Sequence, residues 1–332
     1  MVLVVAEVLG GYPRSARVRK LLRRLEEKAE AGHVEALRAV WEDTLLIAGA
    51  QLGAGLDYVA DPVLEWHDPL RPFVEAWRNV AVDGLLRWFD NNFFYRVPVF
   101  VEEPSPQRFV LAPRVRSLRE RLPSWVGLKV VVPGPYTFAK LSRRLGGIGF
   151  WDLVGYLADL LAVEVRKAVE AGASVVQVNE PILGDVAVDA EEAGRAVEYI
   201  NRVLGAAAGA ETILAVEYNV PSPDVYEKAV LEARADYLLI DIADYPDRAF
   251  RLLSSKGLGG HGLAAGVLDA RSIYLEPYSR FEELVSRAVS ADRPEKLLVT
   301  PNTGFELIPY RYGVAKARLL GQHYARLVER MG

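Results

Sequence analysis

Eight short apolar runs, most of them five to seven residues long, alternate with long amphipathic segments along this 332-residue chain. The runs are Val2–Val8, Leu56–Ala60, Leu128–Val132, Ser174–Val178, Thr212–Val216, Tyr237–Ile242, Leu263–Leu268 and Leu297–Thr300. Most are continuously hydrophobic, the pattern of a parallel strand covered on both faces. Helical patterns occupy Arg14–Ala31, Val34–Gly53, Asp152–Ala171, Ala190–Ala207, Pro223–Ala233, Asp247–Ser255, Phe281–Ala291 and Tyr310–Arg330. Strand and helix in eightfold alternation predict an α/β chain folded as a (β/α)8 TIM barrel, taken as one domain over 1–332. An open doubly wound sheet is the other arrangement of such elements. Its phosphate fingerprint has one match, Gly257, Gly259 and Gly262, but this follows a helix and enters a strand, the reverse of the dinucleotide order.

Residues 91–113 exceed a minimal barrel. Asn91–Phe100 and Gln107–Leu111 read as two strands around Glu102–Pro106, a hairpin excursion between the second and third barrel strands.

Composition narrows the chemistry. A hydrophobic fraction of 51% supports a large core. A net charge of −4 argues against nucleic acid as a partner. With no cysteine and four histidines, thiol nucleophiles and Cys-ligated metals are excluded and no metal site is expected. His67 and His261 read as loop histidines. No apolar run is long enough to span a membrane, and Val2–Ala6 reads as a strand, not a leader, so a cytoplasmic location is expected. Scarce Cys and Met beside abundant Arg and Glu suit a heat-adapted source.

Active sites of such barrels lie beyond the C-terminal ends of the strands. There the sequence places Tyr12 and Arg14; Asp61 and Asp68; Tyr136; Asn179 and Glu180; Glu217, Tyr218 and Asn219; Asp241 and Asp244; Asp269 and Arg271; Asn302 and Thr303. A carboxylate leaving a barrel core is costly unless paired. Glu180, with Asn179 and Asp269, is therefore the candidate catalytic group, with Arg14 or Arg271 as its partner. Tyr12, Arg14, Asp61, Asp68, Tyr136, Glu217, Tyr218, Asn219, Asn302 and Thr303 are the candidate substrate-binding residues. The acidic mouth suits a small molecule with an amine or another hydrogen-bond donor. Arg17, Arg19, Lys20, Arg23 and Arg24 form a basic helix face, either solvated or able to hold an anionic tail.

Six of these segments, in order, resemble the cobalamin-independent methionine synthase family. They are Gly10–Arg14, Gln51–Asp61, Gly134–Thr137 (G-P-x-T), Gln177–Pro181 (Q-I/V-D-E-P), Gly266–Asp269 (G-V-x-D) and Pro301–Gly304 (P-D-C-G). The resemblance implies a TIM barrel and methyl transfer from a methylated folate to homocysteine, whose thiolate zinc binds. The family's zinc ligands fall on Ala215, Glu217, near Gly262 and on Thr303, so no ligand is kept. Its amine-binding Asp is Asn179, and its stacking Trp falls near Leu141. Ala264–Tyr274 and Phe305–Pro309 are similar to the N-terminal barrel of the full-length enzyme, which also lacks the ligands. The resemblance thus implies an accessory barrel acting with a separate zinc-bearing one. A non-catalytic pterin- or amino-acid-binding barrel, and a metal-free decarboxylase of the uroporphyrinogen type, are the alternatives.

Overall fold

The computed structural model describes residues 3–27 and 33–331. Val2 of the first run and 28–31 of the first helical pattern lie outside them. The elements in chain order are β1 (Leu3–Ala6), α1 (Ala16–Glu27), α2 (His33–Gly53), β2 (Tyr58–Ala60), α3 (Arg71–Val74), β3 (Trp77–Arg87), β4 (Phe94–Pro106), α4 (Leu111–Arg119), β5 (Gly127–Pro133), α5 (Pro135–Lys140) and β6 (Arg143–Arg144). They continue with α6 (Phe150–Glu170), β7 (Val175–Asn179), α7 (Ala190–Gly205), β8 (Glu211–Val216), α8 (Pro223–Val225), β9 (Tyr237–Asp241), α9 (Pro246–Lys256), β10 (Gly262–Leu268), α10 (Tyr278–Asp292), β11 (Lys296–Pro301) and α11 (Tyr310–Met331).

Eight strands form one parallel sheet in the order β1-β11-β10-β9-β8-β7-β5-β2, a nearly closed (β/α)8 barrel. Each expected strand run holds one of them. The two end strands meet at Asp57, whose N–H donates to Ala6 O at 2.9 Å and whose carboxylate accepts the Ala6 N–H at 2.8 Å. Alternate residues of the strands divide between two cores. Val175, Ile213, Ala215, Tyr237, Leu239, Ala264 and Leu298 pack inside the barrel. Val176, Val178, Leu214, Leu238, Leu263, Leu297 and Val299 pack in the larger core that includes the helices.

The excursion is present but differently registered. β3 pairs antiparallel with β4 from Trp77↔Pro106 to Arg87↔Phe94, so the chain reverses at 88–93. Asp90-Asn91-Asn92 supplies the turn-forming side chains there. Gln107–Leu111, expected as a strand, is not one; Leu111 begins helix α4. Pro104 and Pro106 mark the end of β4 instead of a reversal. Pro223–Ala233 is also not one regular helix: α8 runs into a π-helical turn, Tyr226–Val230. Gly257 and Gly259, at φ 68° and 59°, form the connection into β10, and the His261 ring sits 2.7 Å from Ala235 O and 3.1 Å from Leu231 O. Among the described residues no helix is long and apolar enough to cross a membrane.

Candidate functional site

A cavity of about 450 Å³ opens beyond the strand ends. Its lining comes from the strands and loops around the ends of β1, β2, β5, β7, β8 and β11. Of the expected residues, Tyr12, Arg14, Asp61, Asp68, Asn179, Glu217 and Tyr218 line it. Arg19 lines it too, so one member of the basic α1 face reaches the site, while Arg17 pairs with Glu42 at 2.5 Å and Lys20, Arg23 and Arg24 are exposed.

Glu217 is held by side chains from two other strand ends. The Thr303 hydroxyl lies 2.8 Å from one of its oxygens, and Asn179 Nδ2 donates to the other at 2.7 Å. Gln177 in turn donates to Asn179 at 2.6 Å, so three strand ends share one chain of hydrogen bonds. Burial pushes the Glu217 carboxyl up to about 8, and the nearby Glu306 and Asp241 charges add to the rise.

Glu180 does not enter the cavity. Asn179 continues the inward row of β7, so its neighbour turns the other way. Its carboxylate accepts the N–H groups of Tyr136 at 3.0 Å and Thr137 at 2.8 Å. Neither Arg14 nor Arg271 is its partner. Burial raises it to about 7 against those bonds, but its work is to join the β7 end to the first turn of α5. Tyr136 also lies outside, stacked on Trp151 with ring centroids 6.2 Å apart.

The sector over β9 and β10 is closed by its own polar groups. Asn302 donates to Asp241 at 3.1 Å and accepts the Ala270 N–H at 2.9 Å. Burial pushes Asp241 up to about 8, with Asp244 adding to it. Asp269 accepts the N–H groups of Arg271 at 2.8 Å and Ser272 at 3.2 Å, shaping its own loop. Asn219 accepts from Arg248 at 2.7 Å. Asp269, Asn302 and Asn219 therefore support the site without lining it, as Thr303 does through Glu217. Asp61 does line it, but Arg114 grips it bidentately at 2.6 and 2.7 Å. His67, expected as an ordinary loop residue, meets Arg14 in the cavity wall, with the Arg14 guanidinium 3.0 Å from its Nδ1.

Three contributors were missed from sequence. Trp88 and Phe93 come from the reversal of the β3–β4 hairpin, which arches over the mouth. The Trp88 indole N–H donates to Tyr218 Oη at 3.2 Å, Phe89 stacks on Tyr218 at 5.3 Å, and Arg271 donates to Asp90 O at 3.1 Å. The misplaced turn concealed them. The third is Glu306, which lines the cavity and which burial pushes up to about 7. The glycines before it were its only signal.

Residues 78–291 match the family model described as "Cobalamin-independent synthase, N-terminal domain". A protein of Saccharolobus islandicus named methionine synthase is 24% identical over 318 residues, covering 95% of this chain and 92% of that one. The 5-methyltetrahydropteroyltriglutamate–homocysteine methyltransferase of Nitratidesulfovibrio vulgaris is 28% identical over 252 residues, covering 70% of this chain and 31% of that longer one. The solved structure of a B12-independent methionine synthase from Shewanella in complex with selenomethionine superposes with a TM-score of 0.82 at 18% identity, covering 100% of this chain and 99% of that one.

Proposed function

Because this chain belongs to the cobalamin-independent methionine synthase family, by its match to the N-terminal domain, we propose that it is a zinc-free substrate-binding barrel of methyl transfer. On this reading it holds a methylated folate and an amino acid of the homocysteine type, and a separate zinc-bearing barrel activates the thiol. The observation that carries the reading is the hydrogen-bonded set around Glu217. The positions onto which the family's zinc ligands align hold Ala215, Glu217, a glycine and Thr303. Both Glu217 oxygens are engaged, by Thr303 and Asn179. Among the described residues no group of three His, Asp or Glu side chains converges as a metal ion needs. That donor set does not fit zinc, whose sites take three or four N, S or carboxylate ligands.

The cavity suits the substrates in size and wall chemistry. Trp66, Trp88, Phe93 and Tyr218 offer aromatic faces to a planar ring, and Arg14, Arg19 and His67 offer donors to a carboxylate. The selenomethionine held by the Shewanella protein supports a thioether or thiol amino acid as one ligand. The chain's contribution is then positioning, which lowers the entropic cost of bringing donor and acceptor together.

The test is reconstitution. With methylfolate and homocysteine alone the chain forms no methionine. Added to a zinc-bearing barrel of the family, it raises kcat/KM for the folate donor. Methyl transfer by the isolated chain would overturn the reading.

A further inference from the structure

Glu306 holds a position that the fold has cleared for it, with no counter-charge among the described residues. It follows β11, and its carboxylate lies against the loop after β1. A Cβ on Gly11 would sit 2.3 Å from its Oε2, and a Cβ on Gly304 only 2.0 Å from the same atom. Both glycines therefore make room for this side chain. The two loops are tied together, since the Phe305 N–H donates to Gly11 O at 2.8 Å, and the rings of Tyr12 and Phe305 meet edge to face at 5.4 Å.

Its Oε2 is buried and accepts no hydrogen bond. No Lys, Arg or His among the described residues forms an ion pair with it. A carboxylate withdrawn from water is costly unless a cation or hydrogen-bond donors meet it. Other acids in this barrel are met: Asp61 by Arg114, Asp244 by Arg271 and Glu276 by Lys316. Glu217 lines the same cavity, so a second acid faces the same space.

We propose that Glu306 is the recognition group for a primary ammonium of the bound ligand, seated between the Glu306 and Glu217 carboxylates. An ammonium supplies three donors and a compact charge; it can meet the unsatisfied Glu306 Oε2 and the second lone pairs of the Glu217 oxygens, each of which accepts one bond already. The inference deepens the amino-acid reading above, since it assigns the group that takes the α-amine.

Calorimetric titration of the intact chain tests it with three probes: L-methionine, its des-amino analogue, and n-hexylammonium. The wild-type chain is expected to bind L-methionine and n-hexylammonium and to bind the des-amino analogue roughly 10–100-fold more weakly, the weight of a charge-assisted hydrogen bond. Glu306→Gln is expected to lose a similar factor for both amines and none for the des-amino analogue. Gly304→Ala, which forces the carboxylate to move, should weaken both amines too. Thermal melting of each variant confirms that it is folded. Binding of n-hexylammonium but not L-methionine, with the same dependence on Glu306, would uphold the ammonium site and remove the amino-acid reading. Equal binding of L-methionine and its des-amino analogue, undiminished by Glu306→Gln, would overturn the site and leave that reading standing. Failure of every probe to bind would also overturn the site.

Discussion

Glu7 and Glu306 are two carboxylates that the barrel takes out of water, and it compensates them in opposite ways. Glu7 lies in the barrel interior, fully buried, and bonds to Lys129, which is fully buried as well. The Lys129 ammonium also donates to Val8 O at 3.2 Å. Burial drives the acid up and the amine down, and their mutual attraction opposes both shifts. Glu306, at the mouth, has no cation partner among the described residues. The floor is neutralised within the fold; at the mouth burial raises the acid, and a cation supplied from outside would favour its charged form. Structural and binding carboxylates are thus separated by their partners, not by their burial.

The largest effect tests the floor. Lys129→Met leaves Glu7 buried and alone, and is expected to destabilise the chain by ~3–5 kcal/mol in urea unfolding. Replacing both members by apolar residues should restore most of that loss. If the single variant costs as little as the double, the pair does not fix the floor.

The pH dependence sharpens the mouth. Glu217, Asp241 and Glu306 stand above the usual carboxylate range, at about 8, 8 and 7. The folded chain binds more protons than the unfolded one between pH ~4.5 and ~8, so stability falls as pH rises through that window. For Glu306 alone the span corresponds to ~2–4 kcal/mol. Glu306→Gln should flatten the slope by that order, and an unchanged slope would show that its carboxyl is not held in its neutral form.

A smaller loss separates Glu180 from the cavity acids. Glu180→Ala removes the acceptor of two buried N–H groups and should cost ~1–3 kcal/mol of stability. Glu180→Gln keeps an acceptor, and its ligand affinity should stay within twofold of wild type. A large affinity loss at unchanged stability would return Glu180 to the binding site. The smallest effect concerns the hairpin arch. Arg271→Ala removes one bond to Asp90 O and a partly buried ion pair with Asp244, worth ~0–1 kcal/mol. Amide hydrogen exchange at 88–93 should quicken while exchange in β7–β9 stays unchanged.

Much of this was open to sequence reasoning. The eight runs mark eight barrel strands because parallel strands buried on both faces must be apolar throughout. The same property hides which way each residue points. Asn179 and Glu180 end one such run, and without alternation the phase cannot be counted. The carboxylate looked the more functional of the two, yet the amide faces inward. The hairpin is legible as an excursion, but its prolines resemble a turn locally, whereas Asp90-Asn91-Asn92 makes the reversal. Trp88, Phe93 and the arch over the mouth were lost with that shift.

The sequence by itself determined the element order, the strand-end placement of the polar residues, and the absence of thiol ligands. Each follows from local pattern or from composition, which no packing can alter. Only the tertiary structure decided which acids are satisfied. Each of Glu7, Asp61, Glu217 and Asp241 has a side-chain partner between 53 and 122 residues away in the chain. The cradle of Glu306 also joins distant segments, since Gly11 is brought to Gly304 by the barrel closure that sets β1 beside β11. Charge compensation acts across space, and a linear chain carries no record of it until the barrel closes.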